Sequence, residues 1–119
     1  MRRALALAAL LMLPAAARAD CVYKPFVFHP EKNDGVVVEA VVEAGGRCAH
    51  QFGEGPGYTF TSITYQQPEH GKISKVEPYW WFYVPDKDYK GKDAYLFKIC
   101  ASKGALKGCS AVAFVVTVK

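Results

Sequence analysis

Very little of this 119-residue sequence is charged in one direction. Its formal net charge is +4, but Arg2, Arg3 and Arg18 fall in the first 19 residues. Residues 20–119 carry twelve Lys and Arg against eleven Asp and Glu, a net of +1. That excludes a basic nucleic-acid binder, because no surplus of cations is there to neutralise phosphates. The four cysteines contain no C-x-x-C spacing, and His29, His50 and His70 stand singly near turn residues. Such an arrangement offers zinc no ligand set, and no H-x-H or Met-rich run offers one to copper. The three histidines are expected at turns or on the surface. Ser62, Ser74, Ser102 and Ser110 sit in no G-x-S-x-G, and spacing singles out no pair of acids. Without a nucleophile beside a base and a third orienting group, the sequence reads as non-enzymatic, with no cofactor. No second apolar run of 18 follows the N-terminal one, so no membrane insertion is expected of the mature chain.

The N-terminus is the clearest feature present. Met1-Arg2-Arg3 is a short positive region, and Ala4 to Leu13 contains only Ala, Leu and Met. Pro14 breaks that run, and Ala17-Arg18-Ala19 has the A-x-A form of a cleavage site. These parts, in this order, read as a secretory signal over 1–19, removed on export. Cys21 does not make it a lipoprotein signal, since Asp20 and Arg18 hold the positions where small and aliphatic residues are wanted. The mature protein, 20–119, is expected in the periplasm or outside the cell. It is long enough for one domain with one core. Its aromatic content of 13% and apolar content of 51% argue against disorder.

Cys21, Cys48, Cys100 and Cys109 are an even set in an exported chain of this size, which reads as two disulfides. Three connectivities are possible. Cys100 and Cys109 flank a turn between two apolar strands and can face each other across a hairpin, which favours Cys100–Cys109 with Cys21–Cys48. By loop entropy the bridges contribute about 2.7 and about 3.6 kcal/mol respectively.

Short apolar runs punctuated by Gly, Pro, Asn and Asp fill the mature sequence, and no helical periodicity competes with them. Strands are expected over 22–28, 36–44, 58–66, 72–76, 79–84, 94–101 and 110–118. In the second run Val36, Val38, Ala40 and Val42 share one face, with Val37, Glu39, Val41 and Glu43 on the other. In the last run Val112, Phe114, Val116 and Val118 alternate. The segment from Gly45 through Gly53-Glu54-Gly55-Pro56-Gly57 is expected to be irregular, and 85–93 a charged loop. Seven short strands at this spacing predict an all-β, seven-stranded antiparallel sandwich of two sheets.

From Pro68 onward several fixed spacings agree at once. Pro68-Glu69-His70-Gly71, Tyr83-Val84-Pro85, the run Tyr89-Lys90-Gly91-Lys92-Asp93-Ala94-Tyr95 and the closing apolar strand form one series. It resembles the P-x-H-G … Y-x-P … Y-x-G-x-D-x-[FY] pattern of bacterial immunoglobulin-like and cadherin-like domains of exported proteins. The resemblance covers residues 68–118. It implies that the seven-stranded antiparallel sandwich is immunoglobulin-like, a scaffold for adhesion and protein contact with no catalytic residues. The chain departs from the pattern in its cysteine pairs, which are not general to the family. Lys98, two residues before Cys100, stands where an antibody domain has its corner Tyr.

Two further patches carry candidate chemistry. Tyr79, Trp80, Trp81, Phe82 and Tyr83 put five rings in one strand, of which half must face away from the core. Exposed rings of this kind anchor protein contacts or stack on sugars. Asp86, Asp88 and Asp93 offer oxygens for calcium, as cadherin-like domains do, but Lys87, Lys90 and Lys92 interleave them and cancel their field. The expectation is a non-catalytic binding or structural module contacting another exported or envelope protein. The aromatic strand and the Gly53–Gly57 loop are its working surfaces. A glycan or calcium module is the alternative, and a secreted enzyme or inhibitor the weaker third.

Overall fold

The computed structural model describes residues 21–77 and 79–119. The expected secretory signal, 1–19, lies outside the described residues. The described residues form eight strands: β1 Cys21–Tyr23, β2 Gly35–Val42, β3 Cys48–Gln51, β4 Tyr58–Gln66, β5 Gly71–Val76, β6 Trp80–Pro85, β7 Gly91–Lys103 and β8 Leu106–Val118. A 3-10 turn, Pro30–Lys32, precedes β2. One sheet has the order β1-β2-β8-β7-β4, the other β3-β6-β5.

Period-two alternation explains most of the strands. Val38, Ala40 and Val42 of β2, and Val112, Phe114, Val116 and Val118 of β8, are buried while their neighbours are not. Across the gap between sheets, Tyr83 of β6 stacks on Tyr95 of β7 with centroids 4.7 Å apart, and Trp81 meets Phe97 edge-on at 5.9 Å. The molecule is a two-sheet sandwich with an aromatic core.

The structure corrects the expected strand plan in four places. The described residues hold eight strands rather than seven, because the Gly-rich segment expected to be irregular contains β3. Cys48, His50 and Phe52 point inward there in alternation, and a histidine in the middle hides that pattern. The first strand stops at Tyr23, since Pro25 has no N–H to continue a ladder. The charged loop after Pro85 ends early, with Gly91 already paired to Val118. Finally, the sheet is not wholly antiparallel: β2 runs parallel to β8 from Gly35↔Ala111 to Val42↔Val118. The reason lies in the turn before β2. Asn33, in the left-handed region at φ 52°, accepts the Cys109 N–H through Oδ1 at 3.0 Å. Asp34 accepts the Ser110 hydroxyl on its side chain and the Ala111 N–H on its carbonyl. Both strands therefore leave one clamp in the same direction. Gly108 permits the clamp, as a Cβ there would lie 2.1 Å from the Pro30 carbonyl oxygen.

Both disulfides have the expected pairing. Cys21–Cys48 joins β1 to β3 and so ties the two sheets together, and Cys100–Cys109 bridges directly opposed residues of the β7–β8 hairpin.

Candidate functional site

Between Tyr23 and the clamp the chain runs free of any ladder, and this stretch builds one wall of a pocket. Phe26 packs edge-on against Phe114 of β8 at 5.7 Å, and Phe28 edge-on against Phe52, just past β3, at 6.0 Å. The opposite wall is the Gly53–Pro56 loop with Tyr58 and Phe60 of β4. The half-open cavity has a volume of about 650 Å³. Its lining is mostly aromatic and aliphatic, with Lys103 at the mouth, 5.0 Å from the Tyr58 ring centroid. Tyr58 donates its hydroxyl proton to Glu31 of the 3-10 turn. That bond holds Glu31 below the usual carboxylate range and pushes Tyr58 up to about 12.

His50 forms part of the floor and corrects the surface position expected for it. It is 2% exposed. Its Nε2 lies 2.6 Å from the Tyr95 hydroxyl and its Nδ1 3.5 Å from that of Tyr23, with the ring 4.1 Å from Phe114. Burial lowers its pKa to about 4, so it is neutral at physiological pH. The depressed value means the folded state refuses a proton that the unfolded chain binds below about pH 6.5. This part of the stability is complete above that pH and lost as pH falls toward 4, by about 3 kcal/mol. Urea unfolding from pH 7 to pH 4 is expected to show that loss, and His50→Gln to flatten it. An unchanged slope in the variant would place the proton uptake elsewhere.

Behind the floor, Tyr83 donates to Asp93 Oδ2 at 2.7 Å, while Asp93 Oδ1 accepts the His70 N–H at 3.3 Å and its own strand neighbour's N–H, that of Ala94, at 3.0 Å. Burial raises the pKa values of Tyr83 and Tyr95, the Asp93 hydrogen bond adding to the effect at Tyr83. His70 stacks on Tyr89 at 4.1 Å, nearly parallel. Gly71 is required where it stands, because a Cβ would meet the Tyr83 ring at 2.6 Å. Residues of the P-x-H-G, Y-x-P and Y-x-G-x-D spacings thus meet in one partly buried cluster.

The proposed working residues separate accordingly. Trp81 and Tyr83 are sealed in the core, at 1% and 0% exposure. Tyr79 precedes β6 and is exposed, and Trp80 is half-buried on the outer face beside Phe82, 6.1 Å away and nearly parallel. The Arg47 guanidinium lies 4.6 Å from the Phe82 centroid. Asp86, Asp88 and Asp93 do not gather: among the described residues no three His, Cys, Asp or Glu side chains are placed to share a metal ion. Asp93 is turned inward to Tyr83, and Asp88 adopts φ 66° in the turn closed by Tyr89 N–H to Asp86 O. The Gly53–Gly57 loop does border the pocket. The aromatic walls went unnoticed in the sequence because Phe26, Phe28, Phe52 and Phe60 come from three separate segments. Their common signal is a phenylalanine beside a Pro- or Gly-rich bend.

Among the described residues no helix is long and apolar enough to cross a membrane. Two disulfides are compatible with an oxidising compartment. No family model matches the sequence, and no curated protein matches it. Among solved structures the chain is similar to a sialyltransferase from Photobacterium damsela, at 15% identity and a TM-score of 0.41. The similarity covers 71% of this chain and 18% of that one, so the chain spans under a fifth of the enzyme's length.

Proposed function

We propose that this chain is an exported, non-catalytic recognition module of the immunoglobulin-like class, whose pocket receives an apolar or aromatic side chain of another exported or envelope protein. The observation carrying this reading is the half-open cavity of about 650 Å³ walled by Phe26, Phe28, Phe52, Tyr58 and Phe60. Pockets of this size and lining favour ring-bearing groups, and interface anchors are drawn from aromatic side chains. The buried polar group at its floor favours binding over chemistry: His50 is neutral and engaged with Tyr95. The irregular walls sit on a rigid sandwich, where recognition loops are commonly placed. A glycan reading has one observation in its favour, the near-parallel Trp80 and Phe82 rings on the outer face of the small sheet.

A photo-crosslinking amino acid separates the two readings. Val27 lines the pocket and is 74% exposed, whereas Val84 is 45% exposed and shares the outer face with Trp80 and Phe82. Crosslinking in the cell envelope is expected to join one protein at position 27 and not at 84, and Phe60→Asp is expected to abolish it in a protein that still folds. Crosslinks at neither position, together with glycan-array binding lost in Trp80→Ala, would replace the protein partner by a sugar.

A further inference from the structure

The two sheets present four edge strands, β1 and β4 on the large sheet and β3 and β5 on the small one. Edges offer unpaired N–H and C=O groups to any extended chain, and native proteins shorten, charge or cover them. β1 has three residues and β3 four. On β5 the Gln67 amide takes both backbone groups of Ile73, accepting its N–H at 2.8 Å and donating to its carbonyl at 3.1 Å. β4 differs, because it runs for nine residues with neither a charge nor a proline. Its first half is covered: the Tyr58 N–H donates to the Gly55 carbonyl at 3.1 Å and the Phe60 N–H to Glu54 Oε2 at 2.7 Å. Beyond the register shift between Phe60 and Ser62, no such cover follows among the described residues.

The register shows which groups are open there. Cys100 and Cys109 face each other with Cα atoms 3.9 Å apart, the close approach of an antiparallel pair without mutual hydrogen bonds. Cys100 therefore turns its N–H and C=O away from β8 and toward Ser62 of β4, and Lys98, two residues earlier, turns its own toward Thr64. By the same alternation Ile63 and Tyr65 direct theirs out of the sheet. The side chains of Ile63 and Tyr65 lie against the core but are only half-buried, which leaves apolar surface at the rim. Thr64 is exposed on the opposite face, beside the exposed Lys98. The other register neighbours of Lys98 are Leu96, Cys100 and Ala111, so no carboxylate adjoins it.

We infer that residues 62–66 bind an extended segment of another protein by strand addition, with an acidic residue opposite Thr64 and apolar residues opposite Ile63 and Tyr65. The added strand continues the antiparallel ladder and pairs its backbone with the open groups of Ile63 and Tyr65. Its apolar side chains cover the rim those two residues leave bare, and its acid shares the outer face with Lys98. That acid lies two strand spacings, ~9.6 Å, from Lys98, a gap that lysine and glutamate side chains span across a threonine. The recognised motif is thus apolar–acidic–apolar. This edge is separate from the pocket and does not depend on its reading.

Titration of the isotope-labelled protein with acetyl-TVEVT-amide, followed through the backbone amide signals of Ile63 and Tyr65, tests this. Those two signals are expected to shift, with a dissociation constant of about 0.1–1 mM for so short a probe. The same peptide N-methylated on both valines keeps every side chain but loses the donors that face β4, and is expected to bind about tenfold more weakly or not at all. Acetyl-TVKVT-amide is expected to bind about fivefold more weakly than the glutamate peptide, and Lys98→Glu to reverse that order. Lys98 is exposed, and an unchanged melting temperature confirms that the variant folds. Ile63 and Tyr65 signals unmoved at about 5 mM peptide, equal binding of the methylated peptide, or a preference that Lys98→Glu leaves in place overturns the inference. Protection of the two amides that rises with protein concentration alone would give the edge to a second copy, and overturns it as well.

Discussion

Trp81→Ala is expected to remove about 3–5 kcal/mol of stability, and Trp80→Ala about 1 kcal/mol or less. The two residues are adjacent, and the difference comes from the pleat of β6. Trp81 is 1% exposed and packs on Phe52 at 5.7 Å and Phe97 at 5.9 Å. Truncation leaves a cavity among rings that cannot collapse into it. Trp80 points to the outer face, where its loss opens nothing. For a domain of this length the larger change lowers the melting temperature by roughly 15–30 °C or prevents folding. The indole Nε1 of Trp81 is buried without a hydrogen-bond partner. Trp81→Phe therefore removes an unsatisfied donor along with some volume, and is expected to cost clearly less than the alanine change. Urea unfolding of the three variants decides the matter. Equal losses for Trp80→Ala and Trp81→Ala would mean that β6 does not have this register.

The second large effect belongs to the inter-sheet disulfide. Cys21 and Cys48 are 27 residues apart in sequence, and opening that loop is expected to cost about 3.6 kcal/mol. Cys100–Cys109 closes a much shorter loop, worth about 2.7 kcal/mol, across a hairpin that the β7–β8 ladder already holds. Paired Cys→Ser variants are expected to melt in that order. They differ further at the pocket. β1 is only three residues long and anchors the stretch that carries Phe26 and Phe28. Losing its tie to β3 is expected to diminish crosslinking at position 27, while the Cys100/Cys109 variant retains it. Equal crosslinking in both variants would show that the pocket wall is held by the Pro30–Asp34 clamp alone.

Several elements were legible because their cause is local. β8 alternates Val112, Phe114, Val116 and Val118, and nothing but a strand buries all four on one side. The Cys100–Cys109 pairing follows from a turn flanked by apolar runs, and Cys21–Cys48 then remains. Gly91 opens β7 at φ 137°, a conformation that favours glycine, whereas Gly71 has no such φ and is required only because the Tyr83 ring across the β5–β6 pair leaves no room for a Cβ. His50 was not legible. Its three-residue alternation with Cys48 and Phe52 is too short to outweigh the glycines around it, and only the Tyr23 and Tyr95 hydroxyls, 27 and 45 residues distant, make its burial tolerable. The parallel pairing of β2 with β8 was equally hidden, since it depends on Asn33 and Asp34 reaching residues 76 positions away.

The sequence by itself determined an all-β chain with two disulfides, because strand period, turn residues and cysteine placement are properties of neighbours along the chain. The tertiary structure alone decided which rings became core and which became wall. Phe28 and Phe52 meet only when the Pro30–Asp34 clamp and the Cys21–Cys48 bridge bring two distant segments to one end of the sandwich. The same closure turned Trp81 inward and left the valine face of β2 and β8 outside. Contacts between distant segments arise from closing the chain on itself, and no local preference encodes them.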